Sequence, residues 1–166
     1  MPIDLAAIRA AHAAIRDKIH RTPVLTSQRL DEACGARLFF KCENFQKGGA
    51  FKARGATHAV FSLADSAAAR GVATHSSGNH AAALARAARL RGIAAHVVMP
   101  DNSSPVKLAA VRGYGANVIL CAPTLQAREE TCARVLAETG AAFVHPYNDL
   151  RVMAGQGTAA LELLED

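Results

Sequence analysis

Lys52 is the residue of this 166-residue chain whose surroundings most favour covalent chemistry. It lies in the stretch 44–56, between a phenylalanine and a small residue, with a glycine pair before it and Gly55 after it. The apolar run 56–63 predicts a helix, so Lys52 is expected at the start of a helix, where it can point into a cleft. A partly desolvated lysine holds its proton less firmly and becomes an amine nucleophile that forms Schiff bases with carbonyl compounds. For an isolated Phe-Lys pair, the alternative is a solvated lysine on an amphipathic helix.

A second stretch, residues 75–80, supplies the donors that an anion-binding site needs. It reads His-Ser-Ser-Gly-Asn-His and lies between a short apolar segment and an alanine-rich run, which predicts a strand–loop–helix junction. Free backbone N–H groups and the positive end of the helix dipole suit a carboxylate or phenolate, and Ser76, Ser77 and Asn79 add side-chain donors. Ser77 or Asn79 could instead only cap the helix, but the loop carries more donors than one cap requires.

The elements around these stretches alternate between strands and helices. From residue 71 the apolar pattern predicts strands, each followed by a helix, at 72–75, 94–99, 117–121 and 142–144. This order is typical of an α/β fold with a parallel sheet and helices on both faces, in which ligands bind beyond the carboxyl ends of the strands. Before residue 71 we expect helices at 3–19, 27–34 and up to about residue 69, extended chain at 22–25 and a strand at 37–42.

Together, these segments resemble the fold type II group of pyridoxal-phosphate (PLP) enzymes, and within it the serine/threonine dehydratase (ammonia-lyase) and serine racemase family. The resemblance runs from about Thr22 to the last residue, in the order and spacing of the family. It implies a fold like that of the tryptophan synthase β subunit. The matching segments are Lys41-Cys42-Glu43-Asn44-Phe45-Gln46, Ala50-Phe51-Lys52-Ala53-Arg54-Gly55-Ala56, Ser76-Ser77-Gly78-Asn79-His80, Tyr114-Gly115-Ala116, His145-Pro146 and Ala154-Gly155-Gln156-Gly157-Thr158.

The resemblance assigns a role to each important residue of the two stretches. Lys52 would bind PLP as a Schiff base and move the α-proton of the substrate on one face, and Phe51 would lie near the cofactor ring. Asn79 would hydrogen-bond the phenolic oxygen of PLP. Ser77 stands where racemising members place the acid/base of the opposite face. The substrate carboxylate would be held by Ser76, Ser77, Asn79 and His80.

The reaction that the resemblance implies is β-elimination of the hydroxyl group from a small hydroxy amino acid, serine or threonine, to give ammonia and a 2-oxo acid. A serine racemase or a hydroxyaspartate dehydratase on the same scaffold is the alternative. A third reading, from another class of protein, is a non-catalytic truncated module that exposes apolar surface and self-associates. A homo-oligomer is the expected assembly of an enzyme of this family.

Family members are about twice as long as this chain, with a small domain inserted into a large one. By resemblance, residues 1–52 begin the large domain, 53–145 form most of the small domain and 146–166 return to the large one. The glycine run that cradles the PLP phosphate, the group that faces the pyridine nitrogen and the metal ligands of some members all belong to the second half. We therefore expect weak PLP binding and little turnover from this chain by itself. The acidic end of the last helix opposes the helix dipole, which also suggests that the chain continues.

Composition and charge argue against several other classes of protein. The formal charge of +5 comes from scattered basic residues rather than a basic run, which gives nucleic-acid binding little support. The four cysteines, at 34, 42, 121 and 132, form no C-x-x-C pair and no zinc pattern, so no metal site is predicted and a reducing compartment is favoured. Because no signal peptide opens the chain and no apolar run is long enough to span a bilayer, the expected location is the cytoplasm, away from the membrane.

Two further motifs have a structural interpretation. Residues 155–160 match the G-x-G-x-x-A dinucleotide fingerprint, but no strand directly precedes them, so we interpret these glycines as points of close backbone packing. His145 and Pro146 are interpreted as the end of a strand rather than as a catalytic base.

Overall fold

The computed structural model describes residues 3–166; Met1 and Pro2, on which the prediction of no signal peptide partly rests, lie outside this range. Two 3-10 turns, Glu43–Phe45 and Lys47–Gly49, lead into the third helix. No helix within residues 3–166 has both the length and the apolar character of a membrane span. The helices are α1 (Leu5–Ile15), α2 (Gln28–Cys34), α3 (Lys52–Phe61), α4 (Asp65–Ala68), α5 (Asn79–Arg91), α6 (Pro105–Gly113), α7 (Leu125–Thr139) and α8 (Leu150–Glu165), and the strands are β1 (Val24–Leu25), β2 (Phe40–Lys41), β3 (Val72–His75), β4 (Ala95–Pro100), β5 (Asn117–Cys121) and β6 (Ala142–Phe143).

Strands β3 to β6 form one parallel sheet, in the spatial order β5-β4-β3-β6. On one face, Val97 and Met99 of β4 belong to a buried cluster with Val111 of α6. On the other face, Val98 of β4 belongs to a buried cluster with Cys132 of α7. Successive strand residues face opposite sides, so both faces of β4 are covered by helices. The predicted fold class, an α/β fold with a parallel sheet between helices, is confirmed.

The strand order reverses between β3 and β6. The chain runs outward from β3 to β4 and β5, and α7 then returns it to β6 on the other side of β3. Such a reversal is the place where open parallel sheets bind ligands, just beyond the carboxyl ends of the strands. The pairing of β6 with β3 is short, with Val72 opposite Ala142 and Ala73 opposite Phe143. The loops that follow β3 and β6 therefore begin side by side at this reversal.

Helix α3, which carries Lys52, crosses α8 at a contact between two glycines. A Cβ atom added to Gly155 would lie 2.7 Å from Cα of Gly55, and one added to Gly55 would lie 2.6 Å from the carbonyl oxygen of Val152. No larger residue fits at such a crossing without moving backbone. The interpretation of the glycines near residue 155 as points of close packing is confirmed for Gly155.

A buried arginine, Arg54, ties α3 to two other segments. Its guanidinium donates to both carboxylate oxygens of Glu43 at 2.9 and 2.8 Å and to both of Glu162 at 2.9 and 2.8 Å. Burial disfavours the charge on Arg54, but the hydrogen bonds that Arg54 donates to Glu162 and Glu43 reverse this effect and raise its pKa. These paired bonds fix the first turn of α3 against the 3-10 turn and against α8.

The acidic end of α8 has basic partners within the chain. Lys41 lies 3.1 Å from Glu162 and 2.9 Å from Asp166, and Arg21 pairs with Glu165 and Asp166. These ion pairs offset the unfavourable interaction of the acidic residues with the helix dipole. The acidic end of α8 is thus explained by local partners.

Several predicted elements are shorter than expected. The N-terminal helix predicted at 3–19 spans only Leu5–Ile15, and the strand predicted at 142–144 ends at Phe143. The strand predicted at 37–42 pairs only at Phe40–Lys41, partly because the amide of Leu38 donates to the carboxylate of Asp31 at 2.8 Å instead of to a neighbouring strand. The helix predicted to run to residue 69 breaks after Phe61 into α3 and α4. There the guanidinium of Arg91 donates to the carbonyl groups of Val60 and Leu63 and so replaces the helical hydrogen bonds.

The small antiparallel sheet of β1 and β2 leaves apolar side chains exposed. Val24 lies opposite Lys41 and Leu25 opposite Phe40, with no further strand beside them in the described part of the chain. Next to this sheet, the end of α8 helps to line an apolar groove of about 370 Å³. The large exposed apolar residues here are Leu25, Phe39, Phe40 and Leu164.

Candidate functional site

Lys52 lies at the start of α3, as the sequence predicts, and its side chain is partly buried. Its ammonium group donates to the backbone carbonyl of Pro146 at 2.8 Å and lies 5.1 Å from the ring centroid of Phe51. Desolvation lowers the pKa of Lys52 below its ordinary value of 10.5. A larger share of neutral amine at a given pH makes this lysine a better nucleophile and base.

The loop between β3 and α5 contains the predicted anion-binding residues. Helix α5 begins at Asn79, and no side chain caps its N-terminus, where Gly78 is the N-cap. Ser76 instead accepts a hydrogen bond from the amide of Gly78 at 3.2 Å and donates its own amide to Val98 at 3.0 Å. The alternative, in which Ser77 or Asn79 only caps the helix, is therefore wrong. In the first turn of α5 the amide of Ala81 donates to Gly78 at 3.1 Å, whereas the amides of Asn79 and His80 lack intrahelical acceptors and are open to an anionic ligand.

His80 is placed differently from its neighbours, because its imidazole is buried beneath the loop. The residue is 3% exposed, and Nε2 lies 3.3 Å from the carbonyl oxygen of Val144. A carbonyl oxygen only accepts, so Nε2 carries the proton. Burial lowers the pKa of His80 to about 4, so the ring is neutral at physiological pH. Only the backbone N–H of His80 is left to contribute to an anion site at the helix start.

The loops after β3 and β6 enclose a cleft of about 260 Å³ at the reversal of strand order. Pro146, whose carbonyl holds Lys52, lies on its wall. Lys52 is therefore bonded to the same wall that the serine loop of α5 helps to form, although its side chain does not itself line the cleft. Phe51 and Asn79 are exposed and are not part of the wall. The wall includes Ser76, Ser77, Gly78, Arg128, His145 and Pro146.

Two residues of this wall were not identified from the sequence. His145 follows β6, and its Nδ1 accepts from the amides of Tyr147 at 3.2 Å and Asn148 at 2.8 Å. Its interpretation as the end of a strand is wrong, since β6 ends two residues earlier, at Phe143. Arg128 lies in the first turns of α7. No local motif marks Arg128, and the family-matching pair His145-Pro146 was given no functional role, because α7 and the turn after β6 reach the cleft only through the tertiary fold.

The described residues fit one end of PLP. A lysine of lowered pKa, an aromatic ring beside it and an exposed asparagine at an uncapped helix start suit the aldehyde and phenol groups of PLP. A glycine run that could cradle the phosphate end is not found. The only adjacent glycines in the chain are Gly48 and Gly49, which precede Lys52. They form a 3-10 turn with positive φ angles of 68° and 70°. The fit is thus complete at the reactive end only.

Comparison with known proteins decides the family. The family of pyridoxal-phosphate dependent enzymes matches residues 15–166. The chain belongs to this family. It is 61% identical over 156 residues to the β-hydroxyaspartate dehydratase of Paracoccus denitrificans, covering 94% of this chain and 50% of that protein.

Solved structures of this PLP-dependent family share the fold. Maize serine racemase matches with a TM-score of 0.97 at 50% identity, over 99% of this chain and 50% of that one. The serine racemase of Dictyostelium discoideum matches with a TM-score of 0.94 at 47% identity, over 98% and 53% of the two chains. A threonine deaminase matches with a TM-score of 0.90 at 45% identity, over 98% and 51% of the two chains. The chain spans about half the length of the curated relatives and solved structures it matches. The predicted resemblance to the dehydratase and serine racemase group of fold type II PLP enzymes is confirmed.

Proposed function

We propose that the whole protein is a PLP-dependent ammonia-lyase that removes the C3 hydroxyl group of a small hydroxy amino acid and releases ammonia and a 2-oxo acid. The observation that supports this proposal best is the cleft at the reversal of strand order. Its wall includes Pro146, whose carbonyl accepts from Lys52 at 2.8 Å, and the serine loop at the uncapped start of α5. A desolvated amine bonded to the same wall as an anion-binding helix start is suited to a substrate that carries a carboxylate and an acidic Cα–H bond.

Each residue has a task that its surroundings support. PLP, when bound, supplies the electron sink for the carbanion that forms at Cα. Lys52 takes the α-proton with its neutral amine, which desolvation favours. The hydroxyl groups of Ser76 and Ser77 and the first amides of α5 bind the substrate carboxylate and orient the Cα–H bond toward Lys52. We also propose that Asn79 binds the phenolic oxygen, that Phe51 lies beside the ring, and that His80 contributes through its backbone N–H.

Arg128 supports hydroxyaspartate as the substrate over serine or threonine. Its side chain lines the cleft together with Ser77, and it forms no ion pair with a carboxylate within residues 3–166. A guanidinium group recognises a carboxylate through paired hydrogen bonds. A substrate with a second carboxylate on its side chain would place it here, in agreement with the name of the Paracoccus relative.

The assay needs a chain of full family length. Where the coding sequence ends at residue 166, the chain can be joined to the second half of the Paracoccus enzyme. We expect 2-oxo acid from β-hydroxyaspartate, serine and threonine, with the highest kcat/KM for β-hydroxyaspartate. Arg128→Gln should lower kcat/KM for β-hydroxyaspartate about 10- to 100-fold, as expected for loss of a charge-assisted pair, and change it little for threonine. No 2-oxo acid from any of the three would exclude the proposal.

Racemisation of serine is the second candidate. Ser77 lines the wall of the cleft, and Lys52 is bonded to a different residue of that wall, Pro146. A racemase needs a proton donor on each face of Cα. Chiral analysis of serine in the same assay separates the two reactions. If racemisation occurs, Ser77→Ala should abolish it, whereas elimination should decrease only by the loss of one of several carboxylate donors.

The remaining expectations, on domains, location and assembly, stay proposals. The division into residues 1–52, 53–145 and 146–166 is consistent with a sheet whose strands all lie between 72 and 143. The four unpaired cysteines suit a reducing compartment such as the cytoplasm. A homo-oligomer is proposed for the whole protein. For this chain alone, the exposed residues Phe39, Phe40 and Leu164 support the third reading, a self-associating module without catalytic activity.

A further inference from the structure

The turn after β6, residues 144–148, receives a side chain from each helix that carries the proposed chemistry. The carbonyl oxygen of Val144 accepts from Nε2 of His80, in the first turn of α5, at 3.3 Å. Two residues later, the carbonyl oxygen of Pro146 accepts from Lys52, in the first turn of α3, at 2.8 Å. The serine loop and the reactive lysine are therefore positioned against the same short segment.

The strand pairing explains why the carbonyl group of Val144 is available to a side chain. The amide of Val144 donates to Ala73 at 2.9 Å, but the pairing of β6 with β3 ends with Phe143 opposite Ala73. Val144 is fully buried, so its carbonyl group has no water to bind and requires a donor from the protein. His80 supplies that donor at the position where the two strands stop pairing.

The turn itself is fixed by a side chain. Nδ1 of His145 accepts from the amides of Tyr147 and Asn148 at 3.2 and 2.8 Å. The ring of His145 also packs edge-on against the ring of Tyr147, with 4.4 Å between centroids. Because the turn is held in this way, a shift of Val144 relative to His80 also moves Pro146 and the Lys52 side chain bonded to it.

We infer that His80 is a positioning residue, whose Nε2–H group holds Val144 and thereby sets the spacing between the serine loop and Lys52. This inference rests on the proposed function, in which the serine loop binds the substrate carboxylate and the amine of Lys52 takes the α-proton. The ring does not touch substrate, since the residue is 3% exposed. It stays neutral, and its Nδ1 has no hydrogen-bond partner within the described residues, so one donor bond is its whole polar contribution.

Replacing His80 by glutamine or by asparagine distinguishes the effect of losing the Nε2–H donor from the effect of losing the imidazole ring. The side-chain nitrogen of His80→Gln can reach the position of Nε2, whereas that of His80→Asn ends near the position of Nδ1. In the full-length protein, normalised to bound PLP, we expect His80→Asn to lower kcat/KM about 10- to 100-fold, because small misplacements of reacting groups have effects of this size. His80→Gln should remain within about threefold of the parent, since it keeps the donor. A purely structural role would lower the melting temperature of His80→Asn and leave kcat/KM per PLP unchanged.

Hydrogen exchange provides a readout that does not require activity. We expect His80→Asn to speed amide exchange in both segments 76–81 and 144–148, and His80→Gln to keep the parent rates. Equal exchange in the parent and His80→Asn, or a Gln variant that behaves like the Asn variant, would overturn the inference. If the parent protein forms no 2-oxo acid, the proposed function fails while the exchange comparison still decides the role of His80. If His80→Asn does not fold, parent-like exchange and kcat/KM in His80→Gln support the inference, and their loss overturns it.

Discussion

Replacing Gly55 by alanine should destabilise the chain and displace Lys52, because Gly55 lies where α3 crosses α8. The added Cβ would lie 2.6 Å from the carbonyl oxygen of Val152, whereas ordinary contacts are 3.4–4 Å. The obstacle is backbone, so the two helices must separate by about 1 Å. Overpacking of this kind costs about 1–3 kcal/mol, and the better helix propensity of alanine returns up to about 1 kcal/mol. We expect the free energy of unfolding to fall by about 1–2 kcal/mol.

The same movement should reduce activity, since Lys52 lies three residues before Gly55 on the same helix. A shift of about 1 Å at a reacting group can lower the rate as much as 100-fold. Urea unfolding at pH 7 measures the stability of the variants, and kcat/KM of the full-length protein measures the shift. A Gly55→Ala variant with parent stability and parent activity would refute the reasoning.

Two other glycines are matched controls for this prediction. A Cβ on Gly157 would lie 2.8 Å from Cδ1 of Ile8, the flexible end of a side chain, and one on Gly113 would meet nothing within 4 Å. We therefore expect the loss of stability to decrease from Gly55→Ala to Gly157→Ala, and Gly113→Ala to be neutral or slightly stabilising. A different order would mean that backbone proximity does not determine the cost.

Three further predictions concern charged groups. Arg54→Leu should lower the free energy of unfolding by about 3–5 kcal/mol, because it removes the guanidinium that pairs with the buried Glu162 and the half-buried Glu43, and urea unfolding measures this loss. For His80, the folded pKa of about 4 lies below the ordinary 6.5, so the unfolded chain binds protons more readily between these values and stability falls as pH falls through that window. At about 1.4 kcal/mol per pKa unit, the loss approaches about 3 kcal/mol, and unfolding measured from pH 7 to 4 should show it in the parent and not in His80→Gln. Lys52→Ala should abolish the visible absorption of bound PLP in the full-length protein, and an unchanged spectrum would contradict the role of Lys52.

The order of elements could be predicted because apolar periodicity and helix ends are local properties. Gly92 and Gly140 end α5 and α7 in left-handed conformations, at φ values of 71° and 66°, and Thr124 caps α7 through a bond of 3.1 Å to Ala127. The strand limits at Phe40–Lys41 were less predictable. The partner that takes the amide of Leu38 is a side chain of α2 rather than a strand.

The candidate site could be predicted where a motif contains it and could not where the fold assembles it. Lys52 and the serine loop belong to continuous motifs, and the uncapped start of α5 agrees with the excess of donors there. Arg128 belongs to a polar helix face that is typical of solvated surface, and only the position of α7 brings it to the cleft. The imidazole of His80 looked like one more donor of the loop, but the direction of its side chain depends on the free carbonyl group at the end of β6.

The first turn of α3 shows how the described residues can position Lys52 without a phosphate-binding site. Lys52 bonds to the turn after β6, Arg54 to Glu43 and Glu162, and Gly55 contacts α8. Neighbouring residues of one helical turn are thus anchored in three directions, and every anchor lies within residues 3–166. The position and the lowered pKa of the amine therefore arise from residues of this chain, whereas the family resemblance implies that the phosphate contacts needed for strong retention of PLP lie in the second half. Reactivity of Lys52 toward an aldehyde and affinity for PLP are then separable, and the chain alone should keep the first and lack most of the second.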